Sequence, residues 1–424
     1  MTPAEAISRI AAYDGKLQAF VRVFDPPLGE GAGPVFAIKD LFDVKGVPTG
    51  GGAQVPLSEK PKAHAEVVQR LLAAGWTAVG KTATVELAYG GWGTNRAVGA
   101  PHNPWDAAVH RAPGGSSSGS AVAVAAGFCD AALGSDTGGS VRIPSAVCGV
   151  VGLKPGRGLV SLKGVHPLSP SLDTVGALAR DVATAARMLG AMSGPDGAAA
   201  VRGPFDAEAA LALEVGDARL AAIPLDHLGE LDPEVGRLYL AALEKLRKAG
   251  LTVQMVRPPR ALDESFAPNG FLMAGEGWRV WKDRIARHAK VMDPWIVRRF
   301  EVGRDIDDDK LARAHARRAQ DQGEFHAWLG AYDALLTPTC PIPAPPMDQV
   351  DEAISPLSRL TRAANYLDLP GASVPMGLTH EGMPAGLQIL GRPRQEATVV
   401  ALAAAFERVS GWNGRQPDLA GFAA

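Results

Sequence analysis

Residues 112–144 read APGGSSSGSAVAVAAGFCDAALGSDTGGSVRIP, two glycine- and serine-rich loops separated by a run of small and apolar residues. The run predicts one short helix and one short strand between the loops. Glycine allows a positive φ and lets backbone N–H groups approach a ligand, so two such loops facing each other would surround serine hydroxyls with donors. This pattern is typical of an acyl-transfer site, and it draws attention to Ser116 and Ser140.

A serine hydroxyl is a poor nucleophile until a base removes its proton. The nine histidines fall in no informative sequence context. Lys39 is the alternative base, because it follows the apolar run 35–38, which predicts a buried strand, and burial lowers the pKa of an amine. From this stretch alone, a lysine that reaches solvent from a strand end is the favoured interpretation, and a base is the alternative that stays open at this point.

Further stretches make the chain resemble the amidase signature family over about residues 35–412. They occur in the family's order and spacing: AIKDLFDVKGVPT (37–49), the two loops above, TPTCPIPAP (337–345), LPGASVPMG (369–377) and GMPAGLQILG (382–391). Helix-like and strand-like segments alternate along the chain, which favours an α/β fold. The resemblance implies an α/β/α sandwich around a central mixed β-sheet, with helical excursions that cap the site.

The resemblance also implies a single amidase domain over residues 1–424. Its expected parts are a signature core at about 35–190, a charged helical excursion at about 260–332 and a return to the core at about 333–412. The excursion carries four tryptophans, for which we weigh core packing against a cap over the pocket: Trp278, Trp281, Trp295 and Trp328.

The site residues implied by the resemblance form a Ser-Ser-Lys triad. Lys39 would be the base, Ser116 the bridging serine after a cis peptide bond, and Ser140 the nucleophile. The oxyanion hole would consist of the backbone N–H groups of Thr137, Gly138, Gly139 and Ser140. These roles predict an amidase that hydrolyses the C–N bond of a small-molecule carboxamide through an acyl-enzyme, without a metal or an organic cofactor.

Two questions about the substrate stay open. The alternative function is that of a glutamine-hydrolysing subunit of a tRNA-dependent amidotransferase, which shares the signature. Ala88, Tyr89 and Trp92 in ELAYGGW are candidate pocket residues, although core packing explains them as well. A primary amide, an anilide, a urea-like carboxamide and an ester all remain compatible with the sequence.

Two further motifs suggest other chemistry. GWTAVGKT (75–82) matches a phosphate loop with Lys81, which would indicate nucleotide binding, but its first glycine follows a helix rather than a strand. GSSSG (115–119) matches a nucleophile elbow with Ser117, but no apolar strand precedes it. We therefore expect neither a phosphate loop nor an elbow.

Composition limits the kinds of partner and the compartment that we expect for this protein. The 424 residues carry a net charge of −2, so the sequence lacks the excess of positive charge that is typical of proteins that bind nucleic acid or an anionic membrane. The three cysteines are widely spaced, which predicts small core residues in a reducing compartment. No targeting pattern is visible, so we expect a cytoplasmic protein whose partner is a small-molecule amide, and a homodimer is left open.

Overall fold

The computed structural model describes residues 1–29, 33–195, 201–412 and 415–423. The described chain forms a sheet of 11 strands flanked by helices. The strands are β1 (Phe20–Leu28), β2 (Val35–Lys39), β3 (Thr77–Thr82), β4 (Ala131–Asp136), β5 (Val151–Lys154), β6 (Thr174–Ala179), β7 (Arg219–Ala222), β8 (Thr252–Met255), β9 (Ala334–Pro338), β10 (Gly371–Leu378) and β11 (Pro384–Gly391).

The α-helices alternate with these strands in the first half of the chain and cluster between β8 and β9. They are α1 (Pro3–Leu17), α2 (Glu66–Ala73), α3 (Ser118–Ala125), α4 (Arg142–Cys148), α5 (Val182–Met192), α6 (Ala207–Ala212), α7 (Pro233–Lys248), α8 (Phe266–His288), α9 (Pro294–Glu301), α10 (Asp308–Leu329), α11 (Arg362–Tyr366) and α12 (Glu396–Ser410).

The strand order is β1-β3-β2-β4-β6-β5-β10-β11-β9-β7-β8. The β3–β2, β2–β4, β9–β7 and β7–β8 pairs are parallel, and the other neighbours are antiparallel. The sheet is therefore mixed, and the predicted fold class is confirmed.

Strand β2 shows why both faces of the sheet are covered. All five of its residues are buried, so it lacks the alternation of a strand with one solvated face. Phe36 and Ile38 belong to one hydrophobic cluster, and Val35 and Ala37 belong to a second cluster on the opposite face. Side chains alternate along a strand, so Lys39 follows the face of Val35 and Ala37.

The parallel pairing of β2 with β4 positions the site. Ile38 lies opposite Leu133, so the carboxyl ends of both strands meet at one edge of the sheet. Lys39 ends β2, and the serine loop that contains Ser140 follows β4. Residues distant in sequence are thereby brought to one edge, where α/β sheets commonly bind ligands.

The expected helical excursion contains α8, α9 and α10. Trp281 is buried and its indole Nε1 donates a hydrogen bond to the Pro167 carbonyl at 2.9 Å, while Trp278 and Trp328 pack against the larger cluster. Trp295 is stacked with the Arg298 guanidinium. Core packing thus accounts for three of the four tryptophans, and the division into core, excursion and return stays a prediction.

The phosphate-loop match is a strand in the structure. Residues 77–82 form β3, and Lys81 is buried in an ion pair with Asp40 whose N···O distance is 2.6 Å. Its Nζ also donates hydrogen bonds to the Pro48 carbonyl and to Thr49 Oγ1. A lysine held in this way is not available to a phosphate, so this stretch is not a phosphate loop.

Candidate active site

The loop that contains Ser140 is held by the carboxylate of Asp136. Asp136 Oδ1 accepts a hydrogen bond from the Gly139 N–H at 2.8 Å, and Oδ2 accepts one from the Val141 N–H at 3.1 Å. The loop therefore wraps around a buried carboxylate before α4 begins at Arg142. This arrangement fixes the position of Ser140 relative to the end of β4.

Arg142 holds this carboxylate in its ionised form. Its Nε and Nη2 donate to the two oxygens of Asp136 at 3.0 and 2.9 Å, and neither side chain has solvent exposure. Burial by itself would raise the pKa of Asp136, but the Arg142 guanidinium lowers it to about 2. The remaining Arg142 donors bind acceptors on distant segments: Thr361 O, Gln388 Oε1 and Asn365 Oδ1. The loop is thereby tied to the C-terminal part of the chain.

The bond to Asp136 changes the predicted oxyanion hole. Because the Gly139 N–H already binds Asp136, it is not available to a substrate oxygen, and Gly139 is removed from the predicted donors. The N–H groups of Thr137, Gly138 and Ser140 have no acceptor among the described residues. Gly139 has φ of +130°, and a Cβ there would collide with Thr361 Oγ1, so its role is conformational.

Lys39 is enclosed by hydroxyl groups rather than by carboxylates. Its Nζ donates to Ser116 Oγ and to Ser135 Oγ, each at 2.8 Å, and the residue has no solvent exposure. Burial lowers the pKa of Lys39 to about 7, although the charges of Asp136 and Asp173 oppose this shift. A substantial fraction of this amine is therefore neutral near pH 7 and able to accept a proton.

The two serine loops lie side by side. The peptide bond between Gly115 and Ser116 is cis, as the resemblance implies. The Ser117 N–H donates to the Ser140 carbonyl at 3.2 Å. No hydrogen bond joins the hydroxyls of Ser116 and Ser140 among the described contacts, and such bonds often tighten only when substrate is bound.

Ser117 has a structural role. It is buried at the N-terminal end of α3, and its hydroxyl donates to the Ser135 carbonyl at 3.3 Å. It does not line the cavity beside Ser140. The elbow interpretation of GSSSG is therefore not supported by the position of this side chain.

A cavity of about 130 Å³ lies in front of Ser140. The lining residues come from the serine loop, the excursion and two other segments: Ala88, Tyr89, Gly90, Gly91, Thr137, Gly138, Ser140, Ile143, Leu168, Gly270, Met273, Arg299, Ser355, Ser358 and Arg362.

Two of the three predicted pocket residues line this cavity. Ala88 and Tyr89 do, and burial raises the pKa of the Tyr89 phenol to about 12, so it is a neutral donor. Trp92 does not line this cavity. Its indole Nε1 donates to the Asp351 and Ile354 carbonyls at 3.1 and 3.0 Å, so it anchors that loop instead.

Several residues of the site escape sequence reasoning. Ser135 and Asp136 lie within the quoted stretch, and the alternation of side chains along β4 was the available signal for them. Arg299 and Arg362 belong to segments far along the chain that reach the cavity only through folding. No local pattern distinguishes them from the other arginines.

Asp173 contacts the serine loop from another side. Its Oδ1 accepts a hydrogen bond from Thr137 Oγ1 at 2.5 Å, and its Oδ2 accepts the N–H groups of Leu168 and Ser169. Burial raises the pKa of Asp173 to about 7.

The described residues contain no cluster of three or more histidine, cysteine or carboxylate side chains that could hold a metal ion.

Known proteins resemble this chain in sequence and in fold. A family profile described as Amidase matches residues 1–400. A glutamyl-tRNA(Gln) amidotransferase subunit of Chloroflexus aggregans is 34% identical, over 99% of this chain and 90% of the relative. A solved structure of the corresponding protein from Thermotoga maritima has a TM-score of 0.85 and 29% identity, covering 98% of this chain and 94% of that one.

A solved structure described simply as an amidase is 32% identical, with a TM-score of 0.84 and coverage of 96% of each chain. The sequence relatives and the solved structures thus agree on one family while differing in the activity that their names give. The chain belongs to the amidase family and is an enzyme of the amidase type that acts on C–N bonds.

Proposed function

We propose that this protein hydrolyses the C–N bond of a carboxamide through an acyl-enzyme on Ser140. The single observation that supports this most directly is the hydrogen bond of 2.8 Å between Lys39 Nζ and Ser116 Oγ, which joins two side chains without solvent exposure. A lysine whose pKa is lowered to about 7 and whose partner is a serine can act as a base.

The proton moves in one direction during acylation. Neutral Lys39 accepts the proton of Ser116, Ser116 accepts the proton of Ser140, and Ser140 Oγ attacks the carbonyl carbon of the substrate. The oxyanion is stabilised by the free N–H groups of the serine loop, each of which contributes on the order of 3 kcal/mol in comparable sites.

Collapse of the tetrahedral intermediate breaks the C–N bond. The leaving nitrogen receives the proton from Ser116, which is resupplied by Lys39, so ammonia or an amine departs neutral. Water then attacks the acyl carbon with the same groups acting in reverse, and the acid is released with Ser140 regenerated.

The identity of the amide is a finer question. The amidotransferase alternative has more support from the comparisons than a free-standing small-molecule amidase, because the sequence relatives bear that name over 99% of this chain. The name includes a tRNA and implies other subunits. The expectation of a small-molecule partner and no nucleic acid therefore conflicts in part with these relatives.

Among the described helices, none is both long enough and apolar enough to cross a membrane.

The test is a panel of amides that includes L-glutamine, a neutral primary amide, an anilide and an ester. Mass detection would follow the released acid and amine, with Ser140→Ala as the control. We expect turnover that Ser140→Ala abolishes. Turnover of glutamine that rises when amidotransferase partner subunits are added would favour the amidotransferase alternative, whereas full turnover without them would favour the free amidase. Wild-type rates in Ser140→Ala would overturn the proposal.

A further inference from the structure

The cavity in front of Ser140 contains two guanidinium groups whose surroundings differ. Both Arg299 and Arg362 line it, and none of its described lining residues is an aspartate or a glutamate. Two cations therefore face the cavity, and no carboxylate belongs to its described lining residues.

Arg299 is neutralised. Its Nη2 forms an ion pair with Glu352 Oε2 at 2.5 Å and also donates to the Glu352 carbonyl at 2.9 Å. Its Nη1 donates to the Tyr89 carbonyl at 2.8 Å. The Arg299 side chain therefore bridges two loops of the cavity wall, and its charge is balanced by Glu352.

Arg362 has no carboxylate partner among the described residues. Its Nε donates to Ser358 Oγ at 3.2 Å, and its Nη1 donates to the Phe266 carbonyl at 3.1 Å. The guanidinium lies 3.7 Å from the centroid of the Phe266 ring. A guanidinium has five N–H donors, so about three of them remain without a described acceptor.

Arg362 also lies close to the reacting groups. A Cβ added at Gly138, in the loop that holds Ser140, would lie 3.3 Å from Arg362 Cγ and 3.8 Å from its Nε. Burial lowers the pKa of Arg362 to about 10, and the charge of nearby Arg299 acts in the same direction, which is the behaviour of a desolvated cation without a counter-charge. A cation in this state gains most from an anion that enters the cavity.

We infer that Arg362 selects carboxamides that carry a carboxylate, and that its guanidinium binds this carboxylate while the amide carbonyl lies at Ser140. The inference rests on the proposed function and names the substrate class of the same site. A carboxylate would satisfy the free donors of Arg362 and balance its charge. A neutral amide would leave both unsatisfied, and it would also lack the charge-assisted hydrogen bonds.

The test compares glutaramate with its methyl ester, in which a neutral ester replaces the carboxylate at the far end, and it follows the release of ammonia from the amide. We expect the wild-type protein to prefer glutaramate in kcat/KM by about 10- to 100-fold, the range that charge-assisted hydrogen bonds supply. Arg362→Met should remove this preference by lowering kcat/KM with glutaramate far more than kcat/KM with the ester. Arg362→Lys keeps the positive charge but loses the paired N–H donors of the guanidinium, so it should retain part of the preference.

Arg359→Met is the matched control, because Arg359 lies three residues away, is also partly buried and does not line the cavity. It should keep the wild-type preference. Equal rates with the two wild-type substrates, or an equal loss with both in Arg362→Met, would overturn the inference.

A binding measurement separates this inference from the proposed function. Titration calorimetry of glutarate with Ser140→Ala and with Ser140→Ala/Arg362→Met needs no turnover. Binding that disappears with Arg362 supports the inference even if no amide in the panel is hydrolysed, a result that would overturn only the proposed function. Absent binding, or equal binding to both proteins, overturns the inference itself.

Discussion

Lys39 and Lys81 lie on neighbouring parallel strands, with Ile38 opposite Lys81 and Lys39 opposite Thr82. Both lysines are almost completely buried, and burial lowers the pKa of each. Lys81 is paired with the Asp40 carboxylate at 2.6 Å, whereas Lys39 contacts only serine hydroxyls. A buried lysine is a candidate base when no carboxylate contacts its amine, and a structural cation when a carboxylate is paired with it.

The largest effect should come from removing the lysine that has no carboxylate. We expect Lys39→Met to lower kcat/KM by at least about 10³-fold, because the methionine keeps the length and loses the proton acceptor. In the wild type, kcat/KM should rise with pH through about 7, since the neutral amine is the active form and its pKa is lowered to about 7. The pH–rate profile of an amide that the protein hydrolyses measures both. If this acid limb survives in Lys39→Met, another group is the base.

Removing the other lysine should act on stability instead. Lys81→Met leaves the Asp40 carboxylate buried without its cation, which costs about 3–5 kcal/mol in comparable ion pairs. Urea unfolding would measure the loss in the free energy of unfolding. The double variant Asp40→Asn/Lys81→Met should be less destabilised than the single variant, because no unpaired charge remains. A Lys81→Met protein as stable as the wild type would contradict the comparison.

A third variant converts one lysine environment into the other. Ser135→Asp places a carboxylate where a hydroxyl now accepts from Lys39 at 2.8 Å. An opposite charge at this range raises the pKa of an amine by about 1–3, so the acid limb should move up from about 7 and activity at pH 7 should fall about tenfold or more. Activity should recover near pH 9. Ser135→Asn is the uncharged control, and an equal shift in that variant would show that the carboxylate charge is not the cause.

The smallest effect should come from Ser135→Ala. This change removes one hydrogen bond that stabilises the charged form of Lys39, so the acid limb should move to slightly lower pH. The loss of a single hydrogen bond is worth about 0.5–1.5 kcal/mol. This corresponds to a rate that is a few fold higher than the wild-type rate at a pH on the acid limb. The same pH–rate profile measures it. A shift to higher pH would be inconsistent with a hydroxyl that favours the ammonium.

Sequence reasoning reached far where local chemistry and position agree. The apolar run 35–38 predicts the buried strand that ends at Lys39, and the structure has this strand as β2. A continuous apolar run is the pattern of a strand that is covered on both faces. The family resemblance supplied the mixed sheet, which periodicity alone does not reveal.

Sequence reasoning failed where the role of a donor depends on which of several acceptors it binds. Gly139 looked like any other donor of the serine loop, but the Asp136 carboxylate takes its N–H. Trp92 lies in the same short segment as Ala88 and Tyr89, yet its indole faces the carbonyls of residues 351 and 354. No sequence pattern states which of several acceptors a donor will reach.

The sequence by itself determined the family and the fold class through a resemblance, because the order of its glycine-serine loops and other motifs can be read without coordinates, and the same resemblance predicts the three residues of the triad. Only the tertiary structure decided that Lys39 has hydroxyl neighbours, that Arg299 is balanced by Glu352 and that Arg362 is not. The physical reason is that burial and counter-charge arise from segments hundreds of residues apart, and a pKa or a free donor depends on both.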